Sequence, residues 1–380
     1  MDQDPAIIGA GLTPFGRLGE GLDPLRLMAS AADEALRDAG LERGAIDGLI
    51  TGYATTLPHM MFANLFAESY GIVPRHCHAV QNGGATGMMM LLLARHLVVA
   101  GAAETILVVA GENRLSGQSR DTSIATLAQV GHPALEVPVG ANVPAYYALL
   151  AARYLEETGA SEEDLAELAV LMRRHARAHP GAHLKAAITV EDVMASRPIA
   201  TPLKLLDCCP ISDGACAFVV SRRTDARSVA ITGWGEGHTH QHVSMAPEDV
   251  ALGARLSSAE ALGRSGLAAS ECGYLGIYDS FTVTLAMLLE ATGFSEAGQA
   301  GHDARAGRFS IGGPQPLNTH GGLLSYGHCG PAGGMALVAE AVAQLRGEAG
   351  SRQSGRLKNA FLHGDGGVLS ANVSLVLERS

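Results

Sequence analysis

The chain has 380 residues, a formal net charge of −11, 47% hydrophobic residues and 17% charged residues. This composition is typical of a folded protein of two or three domains and excludes a disordered chain. Because the balance is acidic and no basic stripe occurs, we predict no nucleic-acid partner.

The cysteines and the apolar runs indicate where the protein resides. The six cysteines include no CxxC pair and no disulfide-like spacing, which predicts a reducing, cytoplasmic setting. No N-terminal stretch joins a basic head to an apolar run, and Arg95 and His96 interrupt the apolar run 88–103. We therefore expect no signal peptide and no membrane association.

The first 110 residues alternate short apolar runs with amphipathic or apolar helical stretches. The apolar runs predict strands at 6–11, 46–51 and 105–110, and the stretches between them predict helices at 25–38, 58–69 and 85–100. Gly40 marks the end of the first helix, since glycine favours the left-handed conformation found there. Alternating strands and helices predict parallel pairing in a layered α/β architecture.

Residues 115–202 have a different character, with polar loops, a tyrosine pair and a charged helix predicted at 161–178. Ser161 followed by Asp164 is typical of a helix N-cap. We interpret this segment as an insertion that covers the core and shapes a pocket.

The basic residues of this insertion allow two interpretations. They form either a solvated helix face or a contact with the phosphates of a nucleotide-bearing substrate. These residues are Arg173, Arg174, Arg177, His183 and Lys185.

The second part of the chain repeats the first. The apolar run 229–235 resembles the first strand, and the order of strands and helices is the same in both parts. We therefore predict two duplicated halves, 1–225 and 226–380, whose equivalent helix N-termini face one pocket. The matching positions are Ile7 and Ile231, Gly9 and Gly233, Gly40-Leu41 and Gly266-Leu267, Gly83 and Gly330, and Gly87-Met88 and Gly334-Met335.

A glycine-dense block at 318–330 concentrates reactive side chains just before a helix predicted at 331–345. Backbone N–H groups at a helix N-terminus favour an oxyanion. The block is either a glycine-rich turn with incidental histidines or a site for a thioester or enolate oxygen, and we favour the site. Its candidate residues are Asn318, His320, Tyr326 and His328.

Three histidines alternate along one predicted strand, at His238, His240 and His242. This spacing places them on one strand face, but no Cys or Asp partner follows them. We predict a surface strand there and no metal site.

Several motifs together resemble the thiolase superfamily, and in particular its sterol-carrier-protein-type branch, the lipid-transfer proteins. The resemblance spans nearly the whole chain. It implies a five-layer αβαβα fold built from the two halves, acyl-CoA substrates and at least a homodimer. The motifs are the duplicated halves, the block at 318–330, the run 206–215 and the terminal His363-Gly364-Asp365-Gly366-Gly367.

The sequence departs from the thiolase pattern at both of the family's reactive cysteines. The turn that carries the thiolase nucleophile corresponds to Gly84-Ala85-Thr86-Gly87, so glycine occupies the nucleophile position. The second cysteine, an acid/base, belongs to the region 363–367, which has none. A covalent acyl-enzyme of the usual form is therefore excluded, and we interpret Cys329 as a packing residue.

Two tyrosines stand near the family's catalytic histidine. The motif Tyr278-Asp279-Ser280-Phe281 matches a family motif whose first residue helps to bind an oxyanion, and Tyr326 precedes His328 by two positions. This pattern resembles the steroid side-chain aldolases of the branch, which cleave a β-hydroxyacyl-CoA by a retro-aldol reaction. The resemblance also implies a small zinc-ribbon/OB-fold acyl-CoA-binding partner protein.

Retro-aldol cleavage fits these residues without a nucleophile or a cofactor other than the coenzyme A of the substrate. Tyr278 and Tyr326 are candidates for base and acid in either order, and the histidines at 320 and 328 for donors to the thioester oxygen. Gly84 and Gly367 are candidates for backbone oxyanion donors, and Asn318 and Asp279 for substrate-binding or orienting residues.

Two other functions stay open from the sequence alone. The first is a Claisen-type thiolase or acyltransferase with a non-standard nucleophile. The second is a non-catalytic subunit that binds acyl-CoA or lipid.

Overall fold

The computed structural model describes residues 4–19 and 21–379. The chain forms a mixed α/β structure in which short helices and strands follow each other closely. The helices are α1 (Pro24–Ala39), α2 (Phe62–Tyr70), α3 (Thr86–Val99), α4 (Arg120–Ala128), α5 (Val143–Thr158), α6 (Glu162–Ala176), α7 (Val190–Ala195), α8 (Leu252–Ser265), α9 (Thr282–Ala291), α10 (Ala300–Arg305) and α11 (Pro331–Arg346). The strands are β1 (Ala6–Leu12), β2 (Gly48–Thr51), β3 (His76–Ala79), β4 (Thr105–Asn113), β5 (Pro198–Ala200), β6 (Leu203–Lys204), β7 (Asp213–Ser221), β8 (Val229–His238), β9 (Leu275–Ile277), β10 (Asn359–Gly366) and β11 (Ala371–Arg379).

The main sheet repeats one strand arrangement twice. Its order across the described residues is β3-β2-β4-β7-β1-β8-β11-β10-β9. From the centre outward, each half contributes four strands in an equivalent order: β1-β7-β4-β2 in the first half and β8-β11-β10-β9 in the second. Strand β3 extends the first half by one strand. The duplication expected from the recurring Ile, Gly and Leu positions is therefore present in the fold. β1 and β8 join the two halves, where Ala6 faces Ala230 and Ile7 faces Val229.

The expectation of parallel pairing is only partly correct. β2 runs parallel to β3 and β4, and β9 runs parallel to β10. The other neighbours in the main sheet are antiparallel. For β10 and β11 the physical reason is that a tight turn joins them, and only a crossover connection can return a strand in the parallel direction.

Helices cover the sheet on both sides and separate its two halves. α3 and α11 pack on each other and contact strands of both halves, whereas α1 packs on β1, β4 and β7, and α8 packs on β8, β10 and β11. The result is the five-layer αβαβα arrangement. The central helices approach closely, since a β-carbon built on Gly87 would lie 2.4 Å from Cγ of Met335. This contact fixes the helix N-termini side by side.

Local signals in the sequence set several helix ends. Gly40 ends α1 with φ of 65°, and Ser161 and Asp164 form a reciprocal capping box at the start of α6. The second helix begins at Phe62 rather than at Pro58, because the residues before it form turns. The segment 115–202 holds α4 to α7 with β5 and β6, and α5 and α6 pack on α9.

No helix within 4–19 and 21–379 is long and apolar enough to cross a membrane.

Candidate active site

The candidate site is centred on a hydrogen bond between Tyr278 and His328. Tyr278 directly follows β9, and His328 lies in the loop before α11. The hydroxyl oxygen of Tyr278 is 3.0 Å from Nε2 of His328, and the two rings are nearly perpendicular at 86°. Tyr278 is 4% exposed, whereas His328 is partly exposed. The pair therefore joins a buried phenol to the imidazole of a residue that is only partly buried.

The Tyr278 hydroxyl fills the space that a side chain at position 84 needs. A β-carbon built on Gly84 would lie 2.1 Å from the hydroxyl oxygen of Tyr278 and 2.3 Å from the carbonyl oxygen of Asp365. Both distances are far below van der Waals contact. A nucleophilic side chain at position 84 and Tyr278 in this position are therefore mutually exclusive.

Two glycine turns, which contain Gly84 and Gly367, meet beside this phenol. A β-carbon on Gly83 would lie 2.8 Å from the amide nitrogen of Gly367 and 2.9 Å from Cα of Gly366. Gly83 and Gly367 both adopt positive φ, at 55° and 71°. Backbone thus replaces side chains at the junction, so a ligand oxygen can come close to backbone N–H groups.

Burial and one arginine set the protonation of the central pair. Burial, with the positive charge of Arg114, lowers the pKa of His328 to about 3. Burial also raises the pKa of Tyr278 well above its usual value, Cys209 and Asp365 raise it further, and Arg114 acts in the opposite direction. At neutral pH the site therefore holds a neutral imidazole and a neutral phenol. Arg114 is itself neutralised by an ion pair with Glu112.

A second hydrogen-bonded pair, formed by a tyrosine and an aspartic acid, lies beside the Tyr278–His328 pair and was not predicted from the sequence. The hydroxyl of Tyr147, on α5, donates to Oδ2 of Asp365 at 2.9 Å and to the carbonyl oxygen of Gly367 at 3.1 Å. The Tyr147 ring packs on Phe281 with centroids 4.5 Å apart. The available signals were the tyrosine pair in the insertion and the acid inside the terminal glycine motif.

Tyr326 lies away from the central pair, although it precedes His328 by two positions. Its hydroxyl donates to the carbonyl oxygen of Thr13 at 3.2 Å, and its ring contacts Phe15 and His179. Tyr326 ends a π-helical turn, Gly322–Tyr326, and Gly327 follows with a φ of 130°, a conformation that favours glycine. The expectation that two phenols flank one histidine is not met in the described part of the chain, where Tyr278 bonds to His328 and the Tyr326 hydroxyl bonds to Thr13 instead.

His320 is a core residue in this structure. Its side chain is fully buried, neither ring nitrogen has a hydrogen-bond partner among the described residues, and its ring packs on Tyr326. Burial lowers the pKa of His320 to about 3. The structure does not bring this histidine to the thioester site that the sequence analysis assigned to it.

Asn318 and Asp279 hold loops in place. The amide of Asn318 accepts from the backbone N–H of Ile277 at 2.9 Å and donates to its carbonyl at 2.7 Å. The carboxylate of Asp279 accepts from the N–H groups of Leu323 and Leu324 at 2.7 and 3.3 Å. Both side chains therefore orient the strand and the loop that carry the central pair, and their polar atoms are occupied by backbone.

The basic residues of the insertion do not form a phosphate site around Arg173. That side chain is 6% exposed and donates to the hydroxyl of Ser325 at 3.0 Å and to the carbonyl of Ala186 at 3.1 Å. Arg174 is exposed and donates to Ser310. Arg173 thus ties α6 to the π-helical turn.

Other candidate sites lie apart from the central pair. No group of three or more metal-ligating side chains converges within 4–19 and 21–379. Surface cavities of 410 and 460 Å³ lie near Arg17 and near Arg153, and neither borders Tyr278 or His328.

Comparison with protein families agrees with this architecture. Residues 5–224 match the N-terminal domain of thiolase, and residues 235–379 match the thiolase C-terminal domain-like family. The chain belongs to the thiolase family.

Among its relatives are both an aldolase and acetyltransferases. It is 33% identical to the steroid side-chain-cleaving aldolase of Thermomonospora curvata, with 98% of each chain covered. It is 30% identical to an acetyl-CoA acetyltransferase of Methanothermobacter thermautotrophicus, with 96% of this chain and 97% of the relative covered. The solved structure titled Ltp2-ChsH2(DUF35) aldolase superposes with a TM-score of 0.85 at 33% identity, over 99% of this chain and 98% of that chain. These findings confirm the resemblance drawn from the motifs.

Proposed function

We propose that the protein is a carbon–carbon lyase of thiolase fold, which cleaves a β-hydroxyacyl-CoA by a retro-aldol reaction. The products are a ketone and a shortened acyl-CoA. The observation that carries the proposal is the phenol of Tyr278, which is hydrogen-bonded to His328 and fills the place of the missing nucleophile at Gly84. The relative named for steroid side-chain cleavage supports a steroid as the ketone-forming part.

In this proposal Tyr278 relays a proton to His328. The phenol takes the proton of the substrate β-hydroxyl while it gives its own proton to Nε2 of His328. This relay needs a neutral imidazole that accepts at Nε2. Burial keeps His328 neutral at neutral pH, although the same lowered pKa makes the imidazole a weaker base. The bond between the α- and β-carbons then breaks, and its electron pair moves into the thioester as an enolate.

The adjoining glycine turns are proposed to hold the enolate oxygen. N–H groups at Gly84 and Gly367 are fixed by backbone before the reaction, so they cost no reorganisation as charge develops. Losing one such donor typically slows turnover about a hundredfold or more. The reaction as proposed uses no cofactor beyond the coenzyme A of the substrate.

A thiol-dependent Claisen mechanism receives less support from the geometry. Cys329 is fully buried, and burial raises its pKa well above the usual value, as it also does for Cys209. A protonated thiol is a poor nucleophile. Iodoacetamide treatment distinguishes the two mechanisms, because it abolishes a thiol-dependent activity and leaves the lyase active.

We also propose a homodimer and a small acyl-CoA-binding partner of zinc-ribbon/OB-fold type, in a reducing, cytoplasmic setting. β3 is an edge strand, and the neighbouring side chains of Val73 and Met60 are fully exposed. An open edge with exposed apolar neighbours favours pairing with a second copy. The solved aldolase structure, which is named for two components, supports a partner, and the unpaired cysteines support the setting.

A product assay by mass spectrometry tests the function. The protein, with and without a candidate partner, is given a β-hydroxyacyl-CoA bearing a tertiary alcohol, and separately a β-ketoacyl-CoA with free coenzyme A. Ketone and shortened acyl-CoA from the first substrate support the lyase. Cleavage of the β-ketoacyl-CoA alone contradicts the proposal and favours a thiolase. If neither substrate is cleaved, a non-catalytic subunit is favoured.

A further inference from the structure

We propose that Asp365 is the acid that protonates the enolate carbon, and that Tyr147 is its positioning residue. This inference rests on the proposed lyase function. The Tyr278–His328 pair removes a proton from the substrate, so a different group must donate the proton that the enolate carbon takes up.

One oxygen of Asp365 is held and the other is left without a partner. Oδ2 accepts from the hydroxyl of Tyr147 at 2.9 Å, whereas Oδ1 is buried and no donor among the described residues reaches hydrogen-bond geometry with it. The backbone N–H groups of Leu369 and Gly366 face the carboxyl but lie outside that geometry. The side chain is 1% exposed. A buried carboxyl oxygen without a partner is costly, so it calls for a ligand or a functional role. The Tyr147 bond fixes the group so that Oδ1 is presented in one orientation.

Asp365 lies at the junction where the substrate is proposed to sit. Its backbone carbonyl oxygen and the Tyr278 hydroxyl are both atoms that a β-carbon on Gly84 would contact. The Tyr147 hydroxyl, which donates to its carboxyl, also donates to the carbonyl oxygen of Gly367, whose amide nitrogen borders Gly83. The Tyr278 phenol and the backbone of Asp365 therefore border the same glycine from the ends of β9 and β10, and Tyr147 holds the Asp365 carboxyl beside the adjoining Gly367 turn.

The carboxyl is in the right protonation state for an acid. Burial raises the pKa of Asp365 to about 8, although the Tyr147 hydroxyl and the backbone N–H groups of Leu369 and Gly366 act in the opposite direction. Asp365 is therefore mostly neutral at pH 7, when His328 is neutral as well. Two titratable groups whose environments shift their pKa values apart in this way typically serve as the acid and the base of one reaction.

The proton balance of the reaction closes with these residues. The substrate hydroxyl proton passes through Tyr278 to His328, and the carbon–carbon bond breaks to give the ketone and the enolate. The enolate carbon then takes the proton of Asp365, which becomes a carboxylate. Return of the His328 proton to Asp365, directly or through water, restores the starting state.

Solvent deuterium exchange isolates the step assigned to Asp365. By microscopic reversibility, the acid that protonates the enolate also removes an α-proton from the product, so acetyl-CoA or propionyl-CoA should gain deuterium in D2O. In Asp365→Asn we expect exchange to fall by roughly a hundredfold or more, the scale of losing a positioned acid or base. Tyr278→Phe should lose cleavage but keep exchange, because the relay handles only the hydroxyl proton.

The asparagine variant also separates proton transfer from hydrogen bonding. An amide can still donate to a thioester oxygen but cannot transfer a proton, so exchange near the wild-type rate in Asp365→Asn overturns the inference. Wild-type protein that exchanges but does not cleave contradicts the proposed function and leaves the acid assignment standing. Wild-type protein that does neither contradicts both.

Tyr147→Phe tests the positioning role and does not depend on the folding of the aspartate variant. Removal of the α-proton needs the carboxylate form of Asp365, so wild-type exchange should fall as pH drops below about 8. Without its donor the Asp365 pKa should rise, so this loss of exchange should move to higher pH while the rate falls about tenfold. Tyr154→Phe is the matched control, since Tyr154 on the same helix donates to Glu290 at 2.6 Å, away from the site. The positioning role of Tyr147 is overturned if the pH profile of exchange does not shift in Tyr147→Phe, or if it shifts equally in Tyr154→Phe.

Discussion

Replacing Tyr278 with phenylalanine removes one oxygen atom at the centre of the candidate site. That oxygen makes one side-chain hydrogen bond, to Nε2 of His328 at 3.0 Å. The phenyl ring keeps its packing after β9. The change therefore removes the proton relay while it leaves the surrounding backbone and the neighbouring glycine turns in place.

The effect on turnover should far exceed the effect on stability. Losing a positioned acid or base slows a reaction by roughly a hundredfold to ten-thousandfold, which is about 3 to 5 kcal/mol of activation free energy. The lost hydrogen bond should lower the free energy of unfolding by about 1 kcal/mol. KM should change little, because the hydroxyl acts on the transition state rather than on the bound coenzyme A.

Steady-state cleavage of the β-hydroxyacyl-CoA, followed by mass spectrometry, measures this loss. Urea unfolding of the same preparation shows whether the fold is intact, and Tyr154→Phe controls for loss of a buried hydroxyl. A Tyr278→Phe enzyme within tenfold of the wild-type kcat would refute the relay. Equal losses in Tyr278→Phe and the control would show that turnover follows stability rather than chemistry.

Other substitutions test the remaining geometry. Tyr326→Phe should reduce kcat by less than about tenfold, because the Tyr326 hydroxyl bonds to backbone. A loss as large as that expected for Tyr278→Phe would show that Tyr326 takes part in the reaction. Gly84→Cys should displace the phenol of Tyr278, abolish cleavage and give no thiolysis, as both activities measured on one preparation would show; efficient thiolysis contradicts the reading of the site. His320→Gln should remove about 2 kcal/mol of the pH dependence of unfolding between pH 6.5 and 5, since a buried histidine with a lowered pKa loses stability as pH falls below its unfolded value. Urea midpoints at the two pH values measure that difference, and an unchanged pH dependence contradicts the assignment of a neutral, buried imidazole.

The sequence alone determined the features that depend on local chemistry. The left-handed glycine at Gly40 and the capping box at Ser161 and Asp164 end or begin helices through contacts within a few residues. The motif order indicated the duplicated thiolase fold. It also showed that Gly84 leaves the family nucleophile absent, because a missing side chain is visible without coordinates.

Only the tertiary structure decided which side chains meet. Tyr326 stands two positions from His328 yet bonds to Thr13, whereas Tyr278 reaches that histidine across 50 residues. Side-chain direction depends on the π-helical turn and on the packing around it, which no spacing rule records. Tyr147 and Asp365 meet across 218 residues for the same reason, since the insertion must fold over the sheet before they touch. Their protonation is likewise a property of burial, and burial arises only when the chain is packed.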